Sequence, residues 1–344
     1  MAPRVLIRGF VGPLVALLAL LPSACGAGGP GFIAPHYLER QMRRFPPQRG
    51  ALTPYQTNGP RALFVLSMTE SGSSLFLGTS GGIFRSDDGE IWRKASTGLE
   101  DDARSVGSLL LVGRALFAGT SGGLYRSRDG GNSWQLTAPV IGRQTIQVLT
   151  KIDNTLFVLA PGGIYRSEIT SESDGAWKLL LNPESGHSQV YNVAALGNVL
   201  YVAGDSRPYQ SNDRGDSWQP EMNPGLPAGW QSLAFAGGTL FAAEGDSGGA
   251  YLGGIYVSDD RAHRWLPAAW DPLGPCASAH KLAVAPDALW AGGGNGVCRS
   301  DDKGKTWQTV AGGPHLVTAL CAREGALYAG TADGLYITRD RGAS

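Results

Sequence analysis

The chain has 344 residues, of which 50 are glycine, and its 29 basic and 29 acidic side chains give a formal net charge of zero. This balance removes the global electrostatic attraction expected of a nucleic-acid-binding protein. Nine tryptophans, eleven tyrosines and ten phenylalanines argue against a disordered chain, because they supply aromatic surface to bury. Abundant glycine with few charged residues predicts many short strands joined by tight turns.

Residues 1–25 have the pattern of an export signal. Two arginines precede an apolar stretch from Phe10 to Leu21, which is shorter than the roughly 20 residues that a membrane-spanning helix needs. The stretch leads into a Ser-Ala-Cys sequence that ends at Cys25 and resembles a bacterial lipoprotein processing site. Lipidation of Cys25 and ordinary cleavage near Ala24 or Ala27 both fit. We therefore expect an exported protein, located in the periplasm or the cell envelope, with a lipid anchor as one of the two outcomes.

Residues 26–50 are predicted to be a flexible basic tether. Glycine dominates residues 26–31, which is typical of a flexible linker. Residues 32–45 carry several arginines among aromatic residues, and both a short amphipathic helix and a solvated linker fit them. The first 50 residues hold six basic and one acidic side chain, and the remaining 294 hold 23 basic and 28 acidic. The neutral total is therefore the sum of a basic leader and a mildly acidic domain.

Residues 51–344 repeat one pattern seven times. The segment LFLGTSGGIFRS at 75–86 recurs almost unchanged as LFAGTSGGLYRS at 116–127. The spacing between copies is near 40 residues, as in the four-stranded blades of β-propellers. Each copy reads as four strands, with an apolar first strand and a glycine turn between the second and third. We predict an all-β, seven-bladed propeller. Weaker copies begin at Leu156, Leu200, Leu240, Leu289 and Leu327.

A tight-turn motif lies between the third and fourth predicted strands. It resembles the Asp-box, Ser-x-Asp-x-Gly-x-[Ser/Thr]-Trp, in which Asp and Ser side chains accept backbone N–H groups and glycine takes the left-handed conformation. Three copies are complete, and the others are shortened, expanded, altered or cut off. The predicted structural residues of these boxes are Ser86, Asp88 and Trp92; Ser127, Asp129, Gly131 and Trp134; Asp174 and Trp177; Ser211, Asp213, Gly215 and Trp218; Ser258, Asp260 and Trp265; Ser300, Asp302, Gly304 and Trp307; and Asp340.

The seventh copy stops before its box tryptophan, so the last blade would lack its outer strand and expose an edge. Near the start of the repeats, the sequence from Tyr55 to Pro60 resembles the outer strand and turn that follow Trp307. Both segments precede an apolar first strand. We predict that a strand near Tyr55 supplies the fourth strand of the last blade and closes the ring.

These motifs resemble the Asp-box, or bacterial neuraminidase repeat, propellers. Such boxes occur in sialidases, xyloglucan-degrading glycosidases, sortilin-type receptors and photosystem II stability or assembly factors. The repeat Gly-Thr-x-x-Gly-[Leu/Ile]-[Tyr/Phe]-Arg-Ser is most similar to the last group. The resemblance implies a non-enzymatic, membrane-associated protein that binds a membrane-protein client. We expect a monomer with a protein client, a membrane complex being the client class implied, and with no nucleic acid, cofactor or metal.

A carbohydrate-active propeller, either a sialidase-like glycoside hydrolase or a lectin, is the alternative. The Phe-Arg-Ile-Pro motif usual in sialidases does not occur in the sequence. A glycosidase needs two carboxylates about 5–10 Å apart. The acidic residues outside the boxes include Glu70, Asp205, Glu244 and Asp246, and their spacing singles out no pair. We therefore predict no catalytic residues.

Four arginines share one repeat position, directly before the box serine. Successive blades would align them into a positive track that could bind an acidic client segment through bidentate contacts. The alternative is a structural role, as an inter-blade ion pair or a cation–π contact with a neighbouring box tryptophan. Both remain open at the sequence level. The four residues are Arg85, Arg126, Arg166 and Arg299.

Two further features are candidates for function. The turns between second and third strands should gather at one end of the ring, and the longest, from Glu244 to Gly254, is a candidate contact loop. Cys276 and Cys298 fall near the same end of the sixth blade, where a disulfide and two independent buried thiols both fit. No histidine–cysteine grouping has the spacing of a zinc site.

Overall fold

The computed structural model describes residues 55–56, 63–170, 175–181, 190–204, 209–220, 230–244, 254–258, 264–269, 275–323 and 325–339. These residues form seven antiparallel sheets of four strands each, with two short 3-10 segments, Asp101–Ala103 and Pro275–Ser278. The first strands of successive sheets lie side by side, so they surround a common axis. The prediction of an all-β, seven-bladed propeller is confirmed. Cys25, the predicted leader and the predicted tether lie outside the described residues.

The first three blades follow the chain without interruption, each from its inner to its outer strand. Blade one contains β2 (Val65–Ser71), β3 (Ser74–Thr79), β4 (Gly82–Ser86) and β5 (Arg93–Lys94). Blade two contains β6 (Val106–Val112), β7 (Ala115–Thr120), β8 (Gly123–Ser127) and β9 (Gln135–Thr137). Blade three contains β10 (Val148–Ile152), β11 (Thr155–Ala160), β12 (Gly163–Glu168) and β13 (Lys178–Leu181).

The next three blades have the same order. Blade four contains β14 (Val190–Leu196), β15 (Val199–Gly204), β16 (Tyr209–Ser211) and β17 (Gln219–Pro220). Blade five contains β18 (Trp230–Ala236), β19 (Thr239–Glu244), β20 (Gly254–Ser258) and β21 (Leu266–Ala269). Blade six contains β22 (Ala279–Val284), β23 (Leu289–Gly293), β24 (Gly296–Ser300) and β25 (Gln308–Thr309).

Blade seven joins the two ends of the repeat region. Its inner strands are β26 (Val317–Arg323), β27 (Ala326–Thr331) and β28 (Gly334–Thr338), and its outer strand is β1 (Tyr55–Gln56). Tyr55 pairs with Ile337 and Gln56 with Tyr336, in antiparallel register. The predicted closing strand is therefore confirmed, and it covers the hydrogen-bonding edge that the last repeat would otherwise expose.

The blades pack through apolar residues on both sheet faces. All six residues of the second strand are buried in each of the first three blades. The glycine in the repeated Gly-Thr pair is needed for this packing. A Cβ on Gly78 would lie 2.5 Å from the Val106 carbonyl oxygen and 2.9 Å from Val106 Cγ1, in the first strand of the next blade. The recurring Gly-Thr is thus a blade-to-blade contact.

Six of the seven first strands carry an irregularity near their start. The register of these six shifts directly after the first residue, as between Val65 and Ser67 or between Ala279 and Lys281, whereas β10 of blade three pairs without a shift. Such a bulge inserts one unpaired residue and changes where the following side chain points. The register also pairs Val65 with Thr79, so the first strands begin at the end of the ring that carries the turns between second and third strands. We call this end the turn face, and the opposite end, which carries the Asp-box loops, the box face.

Candidate functional site

The Asp-box loops on the box face are closed by their own hydrogen bonds. In blade two the Ser127 hydroxyl donates to Asp129 at 2.7 Å and accepts the Gly131 N–H at 2.8 Å. Asp129 also accepts the N–H and the hydroxyl of Ser133, at 2.9 and 2.6 Å. The loops around Asp213 and Asp302 repeat this pattern, and the shortened loop around Asp88 keeps most of it. Asp174, Asp260 and Asp340 lie outside the described residues.

Hydrogen bonds within these loops favour the charged form of the box carboxylates and lower their pKa. Hydrogen bonds from the side chain and backbone of Thr306 lower the pKa of Asp302 to about 2. The backbone N–H groups of Ile91 and Glu90 lower the pKa of Asp88 to about 2. Because the charged carboxylate is the form that accepts these bonds, its charge serves the loop at neutral pH.

The box glycines also form contacts between blades. Gly131 has a φ of +86°, and a Cβ on it would lie 2.3 Å from Cε1 of Phe76 in the preceding blade. Gly304 repeats this against Phe241, where the corresponding distance is also 2.3 Å. The aromatic ring comes from the second strand of the preceding blade in both cases. This contact was not predicted, although the Leu-aromatic pair in each second strand is a regular signal in the sequence.

The four arginines of the shared repeat position lie on the box-face side of the blades. Three of them donate to a backbone carbonyl in the box loop of the next blade. This ties successive blades together across a seam. The pairs are Arg85 to Gly130 at 3.2 Å, Arg126 to Thr170 at 2.7 Å and Arg166 to Arg214 at 2.8 Å.

The same arginines contact aromatic rings and carboxylates within reach. The ring partners belong to the second strand of the same blade rather than to a box tryptophan, and the guanidinium carbons lie 5.2–5.7 Å from the ring centroids. Arg126 is only 4% exposed. These contacts correspond to the structural alternative, since they use the guanidinium groups inside the ring. The ring pairs are Arg85 with Phe76, Arg126 with Phe117 and Arg299 with Trp290, and the ion pairs are Arg85 with Asp87, Arg166 with Asp216 and Arg299 with Asp301.

At the turn face, the residue after the bulge connects neighbouring inner strands. Asn192 is 1% exposed, and its amide donates to the Gln231 carbonyl oxygen of blade five at 2.7 Å. Ser232, at the same position in blade five, accepts the Leu282 N–H of blade six at 3.2 Å. A small polar side chain at this position therefore joins blade four to blade five and blade five to blade six.

Blade six has a lysine at this position. Lys281 is 4% exposed, and its ammonium nitrogen makes no hydrogen bond or ion pair with any residue in the described part of the chain. Burial lowers the pKa of Lys281 to about 7. At neutral pH a large share of this side chain is therefore uncharged, which reduces the cost of burying it.

His280, the bulged residue beside Lys281, is also 4% exposed. Its Nδ1 lies 3.1 Å from the Ser278 carbonyl oxygen, and Nε2 makes no hydrogen bond of normal geometry with the described residues. Burial and then the charge of Lys281 lower the pKa of His280 to about 4, against the opposite effect of the backbone groups of Ser278 and Val317. The ring is therefore neutral at pH 7, and in the tautomer whose Nδ1 donates to Ser278, Nε2 is left as an acceptor.

A disulfide lies just before this pair. Cys276, in the 3-10 segment Pro275–Ser278, is bonded to Cys298 of β24, with a Cα–Cα distance of 6.0 Å. Of the two arrangements open from the sequence, the structure contains the bonded one. The cross-link holds the entry to β22 against the third strand of the same blade, and so supports the position of His280 and Lys281.

Glu244 is the one acidic candidate that the structure describes at the turn face. It is the last residue of β19, opposite Trp230 in register, and its carboxylate accepts the Tyr256 hydroxyl at 3.3 Å. Burial raises the pKa of Glu244, and the bond from Tyr256 acts against this. Asp205, Asp246 and residues 245–253 of the predicted contact loop lie outside the described residues. Glu70 lies on β2 of blade one, 3.6 Å from Cys321 Sγ.

The described residues contain neither a metal-ligating cluster nor a helix suited to crossing a membrane. They contain no group of three or more metal-ligating side chains arranged to hold an ion. None of their helices has the length and apolar character needed to cross a membrane.

Comparison with known proteins gives structural likeness alone. No protein-family model matches the chain, and no curated protein matches it. Its fold is similar to YCF48 bound to D1 peptide, with 18% identity, a TM-score of 0.62 and coverage of 82% of this chain and 93% of that one. An ancestral GH74 enzyme is 17% identical, with a TM-score of 0.61 over 83% of this chain and 46% of that one.

The extracellular domain of the putative one-component system BT4673 from B. thetaiotaomicron is 14% identical, with a TM-score of 0.63 over 82% of this chain. The present chain spans 39% of that domain's length, and less than half of the GH74 enzyme. At these identities the comparisons establish a likeness of fold alone, and a shared fold does not fix a function.

Proposed function

We propose that this protein is a non-enzymatic scaffold that binds a protein client through the turn face of blade six. One observation carries the proposal. On the turn face, two buried ionisable side chains, Lys281 and His280, have nitrogen atoms without hydrogen-bond partners among the described residues. On the box face, by contrast, the box carboxylates and the shared arginines are engaged within the ring. Buried polar groups normally have partners, and those that do not often mark a functional site.

The structural likeness supports a protein as the client. YCF48, which has the same fold over 82% of this chain, is described bound to a peptide. We extend the proposal to an exported protein whose residues 1–50 direct and tether it to the cell envelope, with Cys25 as the lipidated residue. The client would then be a membrane or envelope complex, and the propeller would act as a monomer.

The arginine track is a second proposed contact surface. Its test is the combined replacement of Arg85, Arg126 and Arg166 with alanine. Loss of client binding by a variant with wild-type circular dichroism and melting behaviour would support the track. Unfolding of the variant would assign the arginines to the blade seams.

Site-specific crosslinking tests which face binds the client. A photo-crosslinking residue replaces Asn295, in the turn between β23 and β24, or Lys305, an exposed residue in the box loop of the same blade. The full chain is expressed in the native host, and we expect a discrete protein adduct from position 295 only. An adduct from position 305 alone, or equal labelling at both positions, would contradict the turn-face assignment.

Turnover of a fluorogenic sialoside, or specific binding on a glycan array, would instead favour the carbohydrate-active alternative. Both measurements use the same purified chain. We expect neither signal, because the neighbouring carboxylates that the structure describes outside the boxes, Glu100 and Asp102, both pair with Arg143. A rate above the buffer background that Glu244→Gln abolishes would overturn the non-enzymatic assignment.

A further inference from the structure

We infer that Lys281 and His280 form a binding site for one carboxyl group at the turn-face end of blade six. The site deepens the proposed function and rests on it in one respect only, since a protein client would be the source of the carboxyl group. The binding chemistry itself follows from the two side chains.

The seven repeats show that lysine is exceptional at this position. Four of the other blades use a small polar side chain that bonds the backbone of the next inner strand, and the remaining two have Val148 and Ala319. The ring therefore closes without a long or charged residue here. The four bonds are Ser67 to the Val106 carbonyl at 3.3 Å, Leu149 N–H to Ser108 at 3.1 Å, Asn192 to the Gln231 carbonyl at 2.7 Å and Leu282 N–H to Ser232 at 3.2 Å.

No residue in the described part of the chain supplies the missing counter-charge. The ionisable groups on the described elements packed against β22 are Glu244 on β19, Tyr256 on β20 and Arg323 on β26, while Cys276, Cys298 and Cys321 are disulfide-bonded and do not titrate. Glu244 accepts from Tyr256, and Arg323 donates to the Ser73 carbonyl oxygen at 2.9 Å. Among the described residues, no charged group shifts the pKa of Lys281, and burial alone lowers it. A buried ammonium without a partner is costly, so an external anion at this position would be strongly favoured.

The two nitrogen atoms define the chemistry of the ligand. Lys281 Nζ donates when protonated, and His280 Nε2 accepts in the tautomer whose Nδ1 donates to Ser278 and donates once an anion draws a second proton onto the ring. A carboxyl group can satisfy both nitrogen atoms, since one oxygen accepts from Nζ while the other shares a proton with Nε2. A chloride ion offers one acceptor atom in place of two. Binding therefore selects a carboxylate and takes up a proton, because an anion favours the charged forms of both side chains.

A melting experiment with formate tests this site without any client. At pH 7 and constant ionic strength, we expect sodium formate to raise the Tm of the wild type above its value in sodium chloride. The rise should follow the logarithm of formate concentration once the site is saturated. Lys281→Met should lose the formate response while folding normally, because an apolar chain of similar length replaces an unpaired charge.

Lys151→Met is the matched control. Lys151 is also a partly buried lysine on an inner strand, but its ammonium donates to the Leu111 carbonyl oxygen at 2.7 Å. This variant should keep the formate response of the wild type. If Lys281→Met fails to fold, Lys281→Gln takes its place, with formate binding followed by calorimetry. No formate-specific rise in the wild type, or an equal rise in the Lys281 variant, would overturn the site.

The source of the carboxyl group is tested with triglycine. Stabilisation by triglycine but not by triglycine amide would identify a chain terminus as a ligand, and stabilisation by formate alone would restrict the site to small carboxylates. Equal stabilisation by the amide and the acid would overturn carboxyl recognition. Since crosslinking at position 295 needs the client and formate binding does not, the two proposals can fail separately.

Discussion

The two faces of the ring differ in how their polar groups are used. On the box face, Asp129 and its equivalents bond within short loops, and Arg126 reaches the next blade at 2.7 Å. On the turn face of blade six, Lys281 and His280 are as buried as Arg126, but Lys281 Nζ and His280 Nε2 have no hydrogen-bond partner among the described residues. The box face therefore uses its charged side chains to hold the ring together, and the turn face of blade six carries two ionisable side chains that are available for a ligand.

The repeated box loop and the variable position of Lys281 differ in how strongly the fold constrains them. The box loop recurs because its glycine packs against the second strand of the preceding blade, as Gly131 does against Phe76. The position of Lys281 varies among the blades because a serine, an asparagine, a valine or an alanine each suffices for closure there. A residue that departs from its repeat equivalents at such a position, at an energetic cost, is a better functional candidate than a residue that is repeated.

The largest expected effect comes from opening the ring. Deleting residues 51–59 removes the strand Tyr55–Gln56, which pairs with β28. The outer hydrogen-bonding edge of blade seven, which runs between the box face and the turn face, is then unpaired. We expect the Tm to fall by on the order of 10 °C, as for a loss of several kcal/mol from a domain of this size. Thermal melting measures it, and deletion of the nine residues 41–49 is the control. An unchanged Tm after the 51–59 deletion would show that neither face depends on closure.

The next largest effect comes from disturbing the contact between the box glycine Gly131 and Phe76 of the preceding blade. Gly131→Ala places a methyl group 2.3 Å from Cε1 of Phe76 and in a left-handed conformation, so we expect a loss of about 2–4 kcal/mol of unfolding free energy. Gly130→Ala is matched, because Gly130 has a φ of +69° but nothing within 4 Å of the added atom. The control should lose only about 1–2 kcal/mol, from the backbone conformation.

Urea denaturation of the two glycine variants supplies the comparison. Equal losses would mean that the backbone conformation alone explains the box glycine. The contact between Phe76 and the next blade would then contribute nothing to the box-face seal.

The smallest effect concerns the charge of the box carboxylate. The folded-state pKa of Asp302 is about 2, below its ordinary value of 3.8, because Thr306 donates two hydrogen bonds to it. A depressed pKa contributes stability that is present above the ordinary value and is lost as the pH falls through the folded value. We therefore expect Asp302→Asn to melt below the wild type at pH 7, and the difference to narrow between about pH 4 and pH 2.

Melting curves across this pH range test the Asp302 prediction. Asp301→Asn is the neighbouring control, since Asp301 pairs with Arg299 rather than with the box backbone. A gap for Asp302→Asn that stays constant from pH 7 to pH 2 would contradict a role for its charge in the loop.

Much of the fold could be predicted because its signals are periodic or local. The seven copies near Leu75, Leu116 and their equivalents predicted the blade count, and the likeness between the segments at Tyr55 and Trp307 predicted the closing strand. A box turn is made by residues within about eight positions of each other, so its composition is visible in the sequence. The disulfide was one of two open alternatives, because spacing alone does not tell whether two cysteines face each other.

The candidate site was harder to predict. His280 belongs to no histidine–cysteine grouping in the sequence, and Lys281 carries no motif. An alignment of the seven copies could have drawn attention to Lys281, since Ser67, Ser108, Asn192 and Ser232 occupy its position elsewhere. Its burial depends on a bulge and on the next inner strand, neither of which leaves a local pattern.

The sequence by itself determined the repeat, the turn chemistry and the complementarity of the two ends, because each of these depends on residues close together or on a fixed period. Only the tertiary structure decided which side chains meet across the blade seams. Phe76 reaches Gly131, Arg126 reaches Thr170, and Lys281 is enclosed without a partner among the described residues. The two contacts join residues 55 and 44 positions apart, and all three outcomes depend on the twist of each sheet and on the closed ring that brings neighbouring blades into contact.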